Sequence, residues 1–151
     1  MRIRMAVLAA VFSCMAAVAQ DEKPNFTGVW KRSSRDSSAT CKIEQQDPAL
    51  TFICKSQWTA GSSIAGMSGA ETYTAGTFER ESNPDTGGER WVSVDWQGRS
   101  FVILRVVKNS YCVSVTREIW TLSEDGQTLT KNRRTIDMDG VAESSEVLRK
   151  Q

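Results

Sequence analysis

The sequence predicts an all-β chain, an antiparallel up-and-down meander of about 8 to 10 strands closed into a barrel. Three observations predict it. Helical periodicity is hard to find after the first twenty residues, β-branched and aromatic runs recur throughout, and turn residues separate them. Closure is expected because so long a meander must hide its edges, and a barrel does so. An open sandwich is the alternative fold.

The opening segment, "MRIRMAVLAAVFSCMAAVA", has two arginines, a short apolar run and a small-x-small end at Ala17, Val18 and Ala19. It reads as a signal peptide over residues 1–19, which leaves residues 20–151 as one domain in the periplasm or outside the cell. Lipoprotein processing at Cys14 is a rival reading, weakened by the bulky Phe12 upstream of it. Nothing after the signal approaches the ~20 apolar residues of a membrane span.

The first strand is expected over 25–33, in "NFTGVWKR", an amphipathic stretch with a Gly-x-Trp whose tryptophan should be buried. The next two, 39–46 and 50–58, flank the turn residues Asp47 and Pro48 at the midpoint of "CKIEQQDPALTFIC". Pairing about that centre sets Cys41 against Cys54, Ile43 against Phe52 and Gln45 against Leu50. An exported chain favours a Cys41–Cys54 disulfide over metal or redox chemistry. Cys112 is left over, and is read as a buried thiol.

Further strands are expected at 71–81, 89–96, 100–108, 111–123, 127–138 and 141–149. Gln97-Gly98, Asn109-Ser110, Asp125-Gly126 and Asp139-Gly140 suit hairpin turns. "TAGSSIAGMSGA" at 59–70 and "SNPDTGG" at 82–88 are rich in glycine and serine and read as loops. "FVILRVV" at 101–107 is apolar at both parities, so a loop or a second subunit should cover its outer face, and a homodimer through this strand is the expectation.

Composition excludes several functions. Removing Arg2 and Arg4 from 19 basic residues leaves 17 against 18 acidic ones, so no broad field attracts nucleic acid or an anionic membrane. The chain has no histidine, the commonest general base near neutral pH and the commonest metal ligand. "DTG" at residues 85–87 follows Ser82-Asn83-Pro84 rather than an apolar strand, and reads as a turn. "DMDG", with Asp137 and Asp139, lacks the spaced oxygen ligands of a calcium loop. "KNRR" at 131–134 alternates between the faces of a strand. No enzyme, cofactor or metal is expected.

With its strands placed, "NFTGVWKR" resembles the opening of the calycins, the superfamily of lipocalins, fatty-acid-binding proteins and avidins. "REIWTLSEDGQTLTKNRRTIDMDGVAESSEVLRKQ" is similar to the final hairpins of small exported bacterial lipocalin-like proteins. The resemblance implies that Gly28 and Trp30 plug one barrel end, under a basic cap from Arg149 or Arg134. It departs from the fatty-acid-binding branch. Only "SSRDSS" separates the first two strands, leaving no room for a helical lid, and Glu146 and Leu148 replace the terminal Arg-x-Tyr.

The expected function is therefore an exported, non-enzymatic binding protein holding a small, mostly apolar ligand. Phe52, Trp58, Tyr73, Trp96, Phe101, Tyr111 and Arg134 are the candidate ligand contacts. The alternative is a periplasmic protein-binding barrel resembling bacterial metalloprotease inhibitors, which would use the arm "QDEKPN" at residues 20–25.

Overall fold

A computed structural model describes residues 22–34, 37–60, 63–83 and 88–151. The signal segment therefore lies outside the described residues, as do positions 84–87 of the expected loop. Ten antiparallel strands run in chain order: β1 (Gly28–Ser33), β2 (Ser37–Gln46), β3 (Ala49–Ala60), β4 (Ser63–Thr74), β5 (Thr77–Asn83), β6 (Gly88–Gln97), β7 (Ser100–Lys108), β8 (Val113–Leu122), β9 (Thr128–Asp137) and β10 (Gly140–Lys150). They form one sheet ordered β4-β3-β2-β1-β10-β9-β8-β7-β6-β5. Every neighbour is a hairpin partner except β1 with β10, whose pairing brings the two ends of the chain together at the middle of the sheet.

The meander is as expected, but the barrel does not close. Strands β4 and β5 end the sheet on its two sides, and no ladder joins them. Their connection explains the opening. The Ala75 amide donates to the Pro48 carbonyl and the Gly76 amide to the Val94 carbonyl, so the corner is tied to its own neighbours on each side rather than across the gap. Gly76, with φ +77°, permits that corner. The single strand expected over 71–81 is thus two, broken at residues 75 and 76.

The expected loop at 59–70 is also corrected where it is described, because residues 59–60 end β3 and residues 63–70 form most of β4; residues 61 and 62 lie outside the described residues. Ala60 pairs with Ser63 and the ladder runs unbroken to Ala49 opposite Thr74. Strand geometry here comes from the cross-strand ladder, since the small residues offer no apolar alternation to read. The described parts of 82–88 likewise continue β5 and begin β6.

The β2–β3 hairpin has the expected register, with Cys41 opposite Cys54, Ile43 opposite Phe52 and Gln45 opposite Leu50, and the disulfide is formed. Cys112 differs from expectation. It is a half-buried free thiol at the turn before β8, with its amide held by the Asn109 side chain. Strand β7 lies inside the sheet with both edges paired; on its outer face Val102 is buried, Val106 half-buried and Leu104 exposed.

One face of the curled sheet carries the core. Trp30, Cys41, Ile43, Leu50, Phe101, Ile103, Trp120, Leu129 and Leu148 are buried, and Phe26 joins them from the segment ahead of β1.

Candidate functional site

The first strand builds the closed end. Trp30 is fully buried, and its indole Nε1–H donates 2.8 Å to the Phe26 carbonyl. Its basic cover is Lys150, whose ammonium lies 5.5 Å from the ring centroid. Arg149 is not the cap. It precedes Lys150 on β10 and so points to the opposite face, as alternation requires. Arg134 is exposed on β9, where it pairs with Glu143. Gly28 makes room for the actual cap: at φ +152°, a Cβ added there would stand 2.8 Å from Lys150 Cε.

Phe26 occupies the centre of this end. Its ring stacks on Trp96 at 5.7 Å and meets Phe101 and Trp120 edge-on at 6.5 and 6.3 Å. Sequence reasoning passed over it, although its place at even spacing before Trp30 was a usable signal.

Four of the seven predicted ligand contacts come together here. Phe52 lies 5.0 Å from Trp120, Tyr73 lies 6.4 Å from Phe101, and Trp96 lies 5.1 Å from Phe101. They fill the space between the walls with one another, so this end of the interior is packed rather than hollow. The other three lie elsewhere. Trp58 shares the face of Phe52 but is six residues farther along β3, roughly 20 Å toward the open end, and is 40 % exposed. Tyr111 sits in the turn before β8 at 84 % exposure, and Arg134 faces outward.

Above the aromatic floor lies a layer of charge that the sequence did not reveal. Glu118 on β8 is 2 % exposed and accepts two hydrogen bonds from Arg133, at 3.1 and 2.8 Å, and one of 2.5 Å from the Trp120 indole. Arg105 and Lys131 each approach it to 3.5 Å. Lys131 also reaches Glu146 at 3.5 Å and Arg32 reaches Glu146 at 3.1 Å. Arg105 extends the network to β4, contacting Glu71 at 3.2 Å and the Tyr73 hydroxyl. Four cations thus face three carboxylates across five or more strands.

The electrostatics follow from that arrangement. Burial opposes ionisation of Glu118, but the charge of Lys131 and hydrogen bonds from Arg133 and Trp120 outweigh it and hold the carboxyl below its ordinary range. Lys131 joins the two layers, with its ammonium 4.3 Å from the Phe52 ring and 4.6 Å from Trp120.

A cavity of about 240 Å³ opens onto this layer, lined by Arg32, Glu118, Lys131, Arg133, Ser144, Ser145 and Glu146. Arg32 Nε is buried without a hydrogen-bond partner, as is Trp96 Nε1. A second cleft, of about 320 Å³, follows the gap between β4 and β5. Among the described residues, no group of three or more potential metal ligands occurs, and no helix is long and apolar enough to cross a membrane.

In comparison with known proteins, the chain matches no protein-family model and no curated protein sequence.

Proposed function

We propose that this is an exported, non-enzymatic carrier of a small molecule, held in the curled sheet between an aromatic floor and a charged wall. One observation carries the reading: a cavity bordered by Arg32, Lys131 and Arg133, and by Glu118 and Glu146, adjoins the aromatic floor. Three cations against two carboxylates leave a positive excess that suits an acidic or acceptor group.

The packed rings narrow the ligand class. With Phe52, Tyr73, Trp96 and Phe101 in contact with their neighbours, little apolar volume remains below Lys131. The ligand is therefore amphipathic rather than mostly apolar, with an acceptor or acidic group toward Arg32 and Arg133. The disulfide and the signal-like opening agree with an oxidising compartment outside the cytoplasm.

The inhibitor reading draws little support from the segment it needs. Phe26 is buried at the centre of the closed end, Lys23 lies over Trp96, and the Glu22 carbonyl accepts from Arg99, so residues 22–26 lie along the body.

Native mass spectrometry of protein purified from its own host tests the carrier. An adduct released on denaturation, and lost in Arg32→Gln, is the expected result. Host protein without an adduct, and without thermal stabilisation by any acidic amphiphile in a screen, would remove the reading.

A further inference from the structure

The two carboxylates that border the cavity beside Arg32 are held differently. Glu118 is fixed in the wall: it is buried, two nitrogens of Arg133 reach it at 2.8 and 3.1 Å, the Trp120 indole donates to it, and Lys131 and Arg105 stand at 3.5 Å. Glu146 is looser. Its side chain is 29 % exposed, with Arg32 at 3.1 Å and Lys131 at 3.5 Å. A charge-assisted N–H···O bond measures about 2.7–2.9 Å, so both contacts are long, and a partly exposed pair of this kind adds little stability.

What Glu146 does instead is set the charge of the cavity. The β9–β10 ladder places it opposite Lys131 and places Ser144 opposite Arg133. Ser144, Glu146 and the buried Leu148 alternate along β10 and so share its inner face. The charged lining is then Arg32, Lys131 and Arg133 against Glu118 and Glu146. One further negative charge balances it. The whole layer gives the same excess, because Arg105 and Glu71 add one charge of each sign. A doubly charged group would leave one charge uncompensated and, being more strongly hydrated, costs more to bring in.

We propose that Glu146 is a specificity-determining residue, one that limits the ligand's acidic group to a single negative charge, such as a carboxylate, and turns away a phosphate monoester. This rests on the carrier reading and adds to it the charge class of the ligand. The physical basis is Coulombic. Repulsion from a fixed carboxylate scales with the charge of the group it faces, so Glu146 weakens a dianion about twice as much, in free energy, as a monoanion, and a neutral head not at all.

Isothermal titration calorimetry with octanoate, octyl phosphate and 1-octanol tests this at about pH 8, above the second phosphate pKa of about 6. The unaltered protein should bind octanoate more tightly than octyl phosphate. In Glu146→Gln, affinity should rise about tenfold for octanoate and about 100-fold for octyl phosphate, with octanol unchanged, a graded response that loosened packing does not produce. Glu146→Asp keeps the charge and should keep the original order, and Glu146→Ser repeats the neutral arm should glutamine disturb the fold. Equal gains for all three probes overturn the proposal, as does weaker octanoate binding in Glu146→Gln, which would make Glu146 a support for Arg32. Absence of binding by any probe to either protein also overturns it, while the host adduct decides the carrier reading separately.

Discussion

At the scale of single residues, the Gly-x-Trp pair is one physical unit with Lys150. Gly28 keeps a Cβ out of the path of the lysine stem, the ammonium rests over the indole, and the indole N–H ties down Phe26. Trp30→Ala should cost about 3–5 kcal/mol, the usual loss for a large buried aromatic, measured as a shift in urea midpoint at constant slope. Glu118 makes a second residue-scale prediction. Its carboxyl titrates lower in the folded state than in the unfolded one, so its stabilisation is fully present above the unfolded value of 4.5 and is lost as pH falls through the folded value. Glu118→Gln should cost about 3–5 kcal/mol at pH 7, because it leaves Lys131 and Arg133 facing one another without their shared anion. The variant should also show a shallower loss of stability below about pH 4.5. Equilibrium unfolding of both proteins from pH 7 to pH 3 measures the two effects together.

At the scale of elements, the β2–β3 hairpin is specified twice. Its turn at Asp47 and Pro48 sets the register, and the Cys41–Cys54 bridge locks the same register ten residues of ladder long. Replacing both cysteines with alanine should lower stability by about 3 kcal/mol in the chain-entropy model, since the closed loop is about 15 residues long. The fold should persist, because nine ladders hold the sheet. Unchanged far-ultraviolet dichroism with a lowered melting temperature is the expected outcome. The β3–β4 hairpin shows the opposite case. Most residues of β4 are small or polar and show no apolar alternation, so pairing with β3 decides its conformation, and that pairing involves partners up to 25 positions away along the chain.

At the scale of the whole molecule, the two sides of the gap are connected through Arg105. It reaches from β7 to Glu71 and Tyr73 on β4 and to Glu118 on β8, so one side chain braces the free edge against the opposite wall. Arg105→Ala should cost about 1.5–3 kcal/mol, the range for hydrogen bonds to charged groups. The loss should be local. Hydrogen exchange should accelerate at residues 70–74 while β9 and β10 keep their protection, and uniform acceleration across the sheet would show that the brace is not specific to the edge.

Much of this architecture was legible in local pattern. The spacing about Asp47 and Pro48 set Ile43 against Phe52 and located the disulfide, and turn residues marked most hairpins. These are short-range properties, set by the two-residue period of a strand and the steric demands of a turn. What only the tertiary structure decided is long-range. Lys150 takes the cap because β1 pairs with β10 at Trp30, a register fixed across more than a hundred residues. Arg32, Arg105, Glu118, Lys131, Arg133 and Glu146 read singly as charges on amphipathic strands; only the curl of the sheet turns them toward one another. The gap between β4 and β5 was hidden for the same reason. Whether such a sheet closes depends on how its two edge strands meet in space, and here the corner at Ala75 and Gly76 hydrogen-bonds to Pro48 on one side and Val94 on the other and leaves the β4 and β5 edges apart.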